Sequence, residues 1–172
     1  MKPIFKPQTE WLPPESFPDL SKYDEIAIDL ETKDPELKSM GSGSVTGRGE
    51  IVGIAVAVND WAGYYPIAHE GGGNMDFRMV LKWFQSVLNT PAVKIFHNAM
   101  YDVCFIRAAG LKINGQIVDT MIAGSLVDEN RFRYDLGSLG RDYVGIGKNE
   151  AVLNETAKEW GVDPKSEMYK LP

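Results

Sequence analysis

The sequence predicts an α/β domain built on a mixed sheet, with three antiparallel strands first and alternating helices and strands after them. Two stretches, 24–32 and 51–58, have the period-two alternation or the continuous aliphatic character of strands. A third stretch, 77–88, repeats apolar residues at three- and four-residue steps, as an amphipathic helix does. The chain has 172 residues, 44% of them hydrophobic, which is enough for one domain with its own core.

The first part of the chain predicts an irregular arm and then three strands. Residues 1–22 hold five of the ten prolines, so we expect no regular element there and assign the domain itself to 23–172. A first strand at 24–32 is followed by a loop rich in Gly, Ser and charge at 33–50. The two remaining strands, 51–58 and 61–68, form a hairpin about the turn residues Asn59 and Asp60.

The second part predicts helices alternating with short strands. Asn74 is a candidate cap for the helix of 77–88, and Pro91 ends it. Asn98 is a candidate cap for a helix that runs to about Ala109, before Gly110. Further strands are predicted at 92–96 and 117–118, and further helices at about 120–127, 136–143, 150–160 and from Asp163-Pro164 onward.

Two carboxylates share one face of the first strand. Ile26, Ile28 and Leu30 occupy one face, and the alternation places Asp29 and Glu31 together on the other. Neighbouring carboxylates repel each other unless they share a proton or bind a cation, and a hard divalent ion takes carboxylate oxygens. A solvated acidic face on an edge strand explains the same residues equally well.

A further carboxylate, Asp102, lies at a strand-to-helix junction within 97–102. An aspartate in a first helical turn is favoured by the helix dipole, so a purely structural role explains it. If the first strand is central in the sheet, however, Asp102 can reach a metal that Asp29 and Glu31 hold.

Composition limits the classes of function that remain. With two histidines and one cysteine, a Cys/His zinc site is not expected, and Cys104 alone makes no internal disulfide, as suits a reducing cytoplasm. The formal net charge of −6 argues against a protein that binds nucleic acid by bulk charge. No apolar run reaches the roughly 20 residues of a membrane-spanning helix, and the N-terminus has no signal-peptide core.

Four motifs together resemble a known family. They are Asp29-Leu30-Glu31-Thr32, His97-Asn98-Ala99-Met100-Tyr101-Asp102, Val118-Asp119-Thr120-Met121 and Tyr134-Asp135-Leu136-Gly137-Ser138-Leu139. From about residue 23 to 160 the chain resembles the proofreading 3′–5′ exonuclease domain of family A DNA polymerases, the DNA polymerase I type of bacteria and phages, in the DEDD superfamily. The resemblance implies a ribonuclease-H-like fold and release of nucleoside 5′-monophosphates from a 3′ end.

The resemblance also implies roles for individual residues. Asp29 and Glu31 would bind the catalytic metal, and Asp102 would hold a second ion that Asp29 bridges, two Mg²⁺ or Mn²⁺ ions in a complete site. Three neighbours of the motifs would contact the terminal nucleotide, each with a structural role as its alternative: Thr32, His97 and Asn98. For Tyr101 packing is the better expectation, and for Asp119 a helix cap.

The implied partners are a single-stranded or frayed DNA 3′ end and a polymerase domain in a parent protein, without a membrane, in the cytoplasm of a bacterial or phage-infected cell. Because the core motifs are shared within the superfamily, a 3′–5′ exoribonuclease is an alternative. A non-catalytic binding or scaffold remnant of the same fold is another.

The third motif of that family, Tyr-x-x-x-Asp or His-x-x-x-x-Asp on a late helix, has no convincing counterpart. No tyrosine has an aspartate four positions later, and the pair of His97 and Asp102 would consume the second motif. Asp142 and Asp163 are candidate replacements. We therefore expect a domain truncated before its third motif and weak or absent nuclease activity for these residues alone.

Overall fold

The computed structural model describes residues 12–172 and contains one mixed sheet. Its strands are β1 Glu25–Lys33, β2 Glu50–Val58, β3 Trp61–Pro66, β4 Val93–Phe96 and β5 Ile117–Asp119. They lie in the order β3-β2-β1-β4-β5. β1 pairs antiparallel with β2, and β2 with β3, whereas β1–β4 and β4–β5 are parallel. The predicted sheet is confirmed, with β1 at its centre.

Helices follow the predicted order with three differences. The segment predicted as a loop after β1 contains two single-turn helices, and the predicted helix from Asp163-Pro164 is wrong, because that segment forms turns before a short 3₁₀ helix, Met168–Lys170. The predicted helix of 136–143 begins as a single α-helical turn at Leu136–Leu139 and continues as a π-helical turn, Gly140–Val144. The helices are α1 Leu37–Met40, α2 Gly43–Thr46, α3 Phe77–Asn89, α4 Ala99–Ala108, α5 Thr120–Val127, α6 Leu136–Leu139 and α7 Ala151–Trp160.

The start of α3 differs from the prediction that Asn74 caps it. Asp76 occupies the capping position, and its Oδ1 accepts from the Met79 amide at 2.8 Å. Asn74 instead closes a local turn, since its amide group bonds both the backbone N–H and the carbonyl of His69. Both residue types suit a cap, and the more C-terminal one is adopted.

The core lies on one face of the sheet. Ile26, Ile28 and Leu30 alternate inward along β1 and are buried beneath α3 and α4. The helices contribute Val80, Phe84, Val87, Leu88, Phe105 and Ile106. The opposite face of β1 is more open, and Ala27 and Asp29 are exposed on it. The burial pattern thus directs the acidic face of β1 away from the core.

Residues 12–22 cover the core side of β3 without forming a helix or strand, and residues 1–11 of the Pro-rich arm lie outside the described residues. Phe17 stacks on Tyr65 with ring centroids 5.6 Å apart. Trp83 Nε1 donates to the Pro18 carbonyl at 2.9 Å, and the Tyr65 hydroxyl donates to the Ser16 carbonyl at 3.0 Å.

A lysine is fully buried on β4. Lys94 has 0% exposure, and its ammonium donates to the carbonyls of Thr90, Ala92 and Asn114 at 2.5–2.9 Å. Burial lowers the pKa of Lys94, but three carbonyl acceptors satisfy all three of its N–H groups. The Lys94 ammonium thus connects the turn between α3 and β4 with Asn114, in the segment that precedes β5.

Replacing Lys94 with methionine is expected to destabilise the fold by about 3 kcal/mol, because buried carbonyls then lose a charged donor. Urea unfolding followed by circular dichroism measures the change. Lys82→Met, on the exposed side of α3, is the matched control and should change stability by less than about 0.5 kcal/mol. Equal effects of the two substitutions would contradict a structural role for the buried ammonium.

Among the residues described, no helix is both long enough and apolar enough to span a bilayer.

Candidate active site

The acidic face of the central strand forms the floor of the candidate site. Asp29 lies opposite Ala55 of β2, and Glu31 lies opposite Gly53. Immediately after Glu31 the pairing of β1 and β2 shifts by one residue, so that Thr32 faces Ile51. Such bulges re-aim side chains at the end of a strand. The strand therefore presents two carboxylates opposite small residues of β2, and the Tyr64 ring fills the space over Gly53.

Asp102 reaches this strand from α4. Its side chain is 4% exposed, and its Oδ1 accepts from the Leu30 amide at 3.0 Å. The bond attaches the first turn of α4 to β1 at the residue between Asp29 and Glu31. The structure thus places Asp102 beside the strand that carries Asp29 and Glu31.

The charge of Asp29 acts on the pKa values of the other two carboxyl groups. Burial, followed by the charge of Asp29, raises the pKa of Glu31 to about 7 and that of Asp102 to about 7. Asp29 is the most open of the three. Loss of water contact still raises its pKa, against the opposing charges of Lys148 and His97. Negative charge is therefore concentrated here without full compensation by the protein.

A divalent cation suits these donors, because carboxylate oxygens are the ligands that Mg²⁺ and Mn²⁺ prefer and a cation would relieve the repulsion. The side chains are too far apart to coordinate an ion in this conformation. Within residues 12–172, no three His, Cys, Asp or Glu side chains lie close enough together to hold one. The chemistry of the donors fits a metal, and the geometry of a complete site is not formed by the described residues.

The predicted nucleotide contacts divide into two groups. Thr32 is engaged by the protein, since its hydroxyl bonds the Tyr101 hydroxyl at 2.8 Å and Tyr101 also donates to Asp34 at 3.0 Å. Tyr101 packs on Phe105 as well, with ring centroids 5.0 Å apart. Tyr101 therefore packs in the structure, as predicted, and also takes part in a hydrogen-bond network at the end of β1.

His97 and Asn98 lie at the start of α4. His97 Nδ1 bonds the Thr120 hydroxyl at 2.9 Å. Asn98 occupies the capping position at the start of α4, as predicted, but it adopts a left-handed backbone conformation with φ 64° and makes no side-chain cap bond. The Asp119 carboxylate supplies the acceptor instead, taking hydrogen bonds from the Asn98 and Ala99 amides at 3.0 and 2.8 Å.

Asp119 also caps α5 by accepting from the Met121 amide at 2.8 Å, as predicted. Burial acts to raise its pKa, but the backbone donors outweigh this and lower it. One ionised carboxylate thereby fixes the first turns of two helices, and with α4 it fixes the approach of Asp102 to β1.

An open groove of about 660 Å³ adjoins Asp29. Its walls are largely apolar, and it runs across the exposed face of the sheet between β3 and the start of α5. Its lining includes Ala27, Asp29, Ala55, Tyr64, His97 and Leu136. A groove of this size with small apolar residues at its base and a carboxylate at its side can take a nucleotide-sized ligand.

Two side chains near the carboxylates were not identified from the sequence. Lys148 acts electrostatically on Asp29 and Glu31, although it lies in the segment between the π-helical turn and α7. No local pattern marks that lysine. Tyr64 lines the groove from β3, and the alternation along its strand, with Tyr65 buried on the other side, was the available signal.

The model of a 3′–5′ exonuclease family, the exonuclease domain of family A DNA polymerases, matches residues 6–171. The chain belongs to this family.

Relatives agree with that assignment. A DNA-directed DNA polymerase of Pseudomonas phage M6 is 33% identical over 95% of this chain, and the chain spans 26% of the length of that polymerase. Among solved structures, Brucella melitensis NrnC with bound Mg²⁺ has a TM-score of 0.55 at 19% identity, with 77% of this chain and 59% of that chain covered. Escherichia coli RNase D, an exoribonuclease, has a TM-score of 0.54 at 14% identity over 87% of this chain and 36% of that chain. These likenesses show the ribonuclease-H-like fold of the exonuclease family.

The candidate replacements for the third exonuclease motif have other partners. Asp142 pairs with Arg131 in the described structure, and Asp163 accepts from the Ser166 amide and hydroxyl at 2.8 and 2.7 Å. Neither contributes to the electrostatics of Asp29, Glu31 or Asp102. Both carboxylates therefore already have partners of their own in this structure.

Proposed function

We propose that this chain is a two-metal-ion 3′–5′ exonuclease domain that removes nucleoside 5′-monophosphates from DNA 3′ ends, as the proofreading domain of a DNA polymerase. The observation that carries the proposal is the convergence of Asp29, Glu31 and Asp102 in a chain of the exonuclease family. Family membership supports a nuclease. The choice of DNA rests on the phage polymerase relative, of which this chain corresponds to about a quarter.

Asp29 and Glu31 would hold one ion, and Asp102 with Asp29 would hold the other. When bound, such ions activate water and stabilise the charge on the leaving oxygen. The protein contributes position: β1 fixes two carboxylates on one face, and the Leu30 amide fixes Asp102 beside them. The apolar groove beside Asp29 offers a stacking surface for a terminal base.

The negative charge of the chain requires local cations for DNA binding. Lys148 lies within electrostatic reach of Asp29 and Glu31, where its charge opposes the rise in the pKa of both carboxyl groups. The same ammonium can face a phosphate entering the site, while excess acidic charge elsewhere keeps non-specific binding weak.

Incubation of the chain with 3′-labelled single-stranded DNA and Mn²⁺ is expected to release mononucleotides slowly. The rate is low because no third-motif aspartate and tyrosine complete the site. Asp29→Ala should reduce the remaining release at least about 100-fold. Asp24→Ala, which removes a carboxylate at the start of the same strand, should leave it unchanged within about twofold, as expected of a surface site.

Three other outcomes would favour a different function or revise the expected rate. Faster release from matched RNA than from DNA would favour an exoribonuclease. No release together with no Mn²⁺ site by calorimetry would contradict the proposed function and favour a non-catalytic module. Fast release that depends on Asp29 would instead overturn the expectation of weak activity, since another residue then supplies the missing ligand.

A further inference from the structure

His97 lies on the same face of the sheet as Asp29. In the parallel pairing of β1 with β4, Ala27 faces Ile95. Asp29 and His97 each follow two residues later, and residues two apart on an extended strand point to the same face. Both line the open groove. Burial raises the pKa of Asp29, and positive charge on His97 opposes that rise, in keeping with their proximity.

Thr120 determines which ring nitrogen of His97 carries the proton. The Thr120 hydroxyl donates to the Phe96 carbonyl at 3.1 Å, and the same oxygen bonds His97 Nδ1 at 2.9 Å. A hydroxyl has a single proton, so both bonds form together only if Thr120 donates to Phe96 and His97 Nδ1 donates to Thr120. In the neutral ring, Nε2 then has no proton and offers a lone pair.

The lone pair of His97 Nε2 is available to a ligand in the groove. Within residues 12–172, the ring makes its hydrogen bond through Nδ1 alone. Because Nδ1 is held toward Thr120, the far end of the half-buried ring is the part left to the groove. The surrounding wall is largely apolar, with Ala57 and Leu136 among its residues. An acceptor in such a wall favours a ligand that brings an N–H or O–H donor over one that brings another acceptor.

We propose that His97 is a specificity residue whose Nε2 accepts a hydrogen bond from an N–H or O–H group of the 3′-terminal nucleotide. The inference deepens the proposed function and rests on it, because it names what the groove beside Asp29 recognises. A terminal nucleotide has such donors in two places, the N–H groups of its base and the 3′-hydroxyl of its sugar. Phosphate oxygens only accept, so the neutral His97 ring binds no phosphate through Nε2.

The two side-chain amides separate the roles of the two ring nitrogens. Asparagine places its amide near the position of Nδ1 and can still donate to Thr120, whereas glutamine can place an amide oxygen near the position of Nε2. His97→Asn is therefore expected to weaken DNA binding by about fivefold, as for one lost hydrogen bond, and His97→Gln by less than about twofold. The opposite order, with asparagine tolerated and glutamine harmful, would overturn the inference.

Affinity is measured by fluorescence anisotropy with the full chain, Mn²⁺ and a 5′-labelled single strand of about six nucleotides, whose integrity is checked by electrophoresis. The titrations are made at pH 8, at which histidine side chains are ordinarily neutral. Ser125→Ala is the control, since it removes a hydroxyl of α5 that donates to the Ile122 carbonyl outside the groove lining. It should change affinity by less than about twofold.

Two altered strands identify the donor that His97 binds. One ends in a dideoxynucleotide, which lacks the 3′-hydroxyl, and the other ends in an abasic sugar, which keeps the hydroxyl and lacks the base. Loss of the bound donor should weaken binding to the wild-type chain about fivefold more than binding to His97→Asn. Equal losses in both proteins for both strands would overturn the inference.

The ring nitrogens also report the predicted tautomer directly. Nitrogen NMR spectra of the chain at pH 8 should show Nδ1 of His97 protonated and Nε2 unprotonated, and the reverse assignment would overturn the inference. The two proposals fail in different ways. If Asp29-dependent release of mononucleotides is observed and His97→Asn binds DNA as the wild type does, the role of His97 is wrong while the proposed function stands. If the wild type neither binds Mn²⁺ nor releases mononucleotides, the proposed function is overturned and the role of His97 with it.

Discussion

Replacement of Asp102 with asparagine is expected to stabilise the metal-free chain at pH 8 by about 2–4 kcal/mol. Burial and the charge of Asp29 raise the pKa of Asp102 from 3.8 to about 7. Each unit of such a shift corresponds to about 1.4 kcal/mol, and the ionised group is therefore unfavourable in the folded chain at pH 8. Asparagine removes the charge and keeps an oxygen for the Leu30 amide. Urea unfolding in a chelating buffer measures the gain.

The alanine variant separates charge from hydrogen bonding. Asp102→Ala also removes the charge, but it leaves the Leu30 amide without its acceptor, which costs about 1–3 kcal/mol for a buried donor. The alanine variant should therefore be less stable than the asparagine variant. At pH 5 the advantage of asparagine should shrink to roughly half or less, because Asp102 is then protonated in the folded chain. A destabilised asparagine variant at pH 8 would show that repulsion among the carboxylates is not the dominant effect.

Local patterns were sufficient to predict the floor of the site. Alternation along β1 separates Ile26 and Ile28, which are buried, from Asp29, which is exposed. The position of Asp102 in a first helical turn was likewise predictable from its strand–helix junction. Both inferences use residues within a few positions of one another, where strand and helix periods apply directly.

These local patterns could not predict contacts between segments that are distant in the sequence. Asn98 and Asp119 are equally suitable caps by residue type, and only the pairing of β4 with β5 places Asp119 at the start of α4. A lysine in the middle of a short strand favours an exposed position, yet the carbonyls around Lys94 bury it. Alternation along β3 places Tyr64 and Tyr65 on opposite faces, but only the register of three strands places Tyr64 on the face that carries Asp29.

The metal-free chain should lose about 3–5 kcal/mol of stability between pH 5.5 and pH 8. Glu31 and Asp102 have pKa values of about 7 in the folded chain, against 4.5 and 3.8 ordinarily, so the folded form binds their protons more tightly. The stability that this provides is complete below pH 4 and is lost as the pH rises through about 7. His69, whose pKa burial lowers, acts in the opposite direction and reduces the net change.

Mn²⁺ should reverse this trend, because a cation binds the ionised carboxylates that destabilise the chain. At a Mn²⁺ concentration 100 times the dissociation constant, binding adds about 2.7 kcal/mol to the free energy of unfolding. At pH 5.5 the ion must displace protons from Glu31 and Asp102, so its affinity and its stabilising effect should fall sharply. Paired urea titrations at the two pH values, with Mn²⁺ or with chelator, measure both effects. Asp29→Ala tests the origin of the stabilisation: Mn²⁺ should no longer stabilise that variant at pH 8, and equal stabilisation of variant and wild type would place the ion elsewhere.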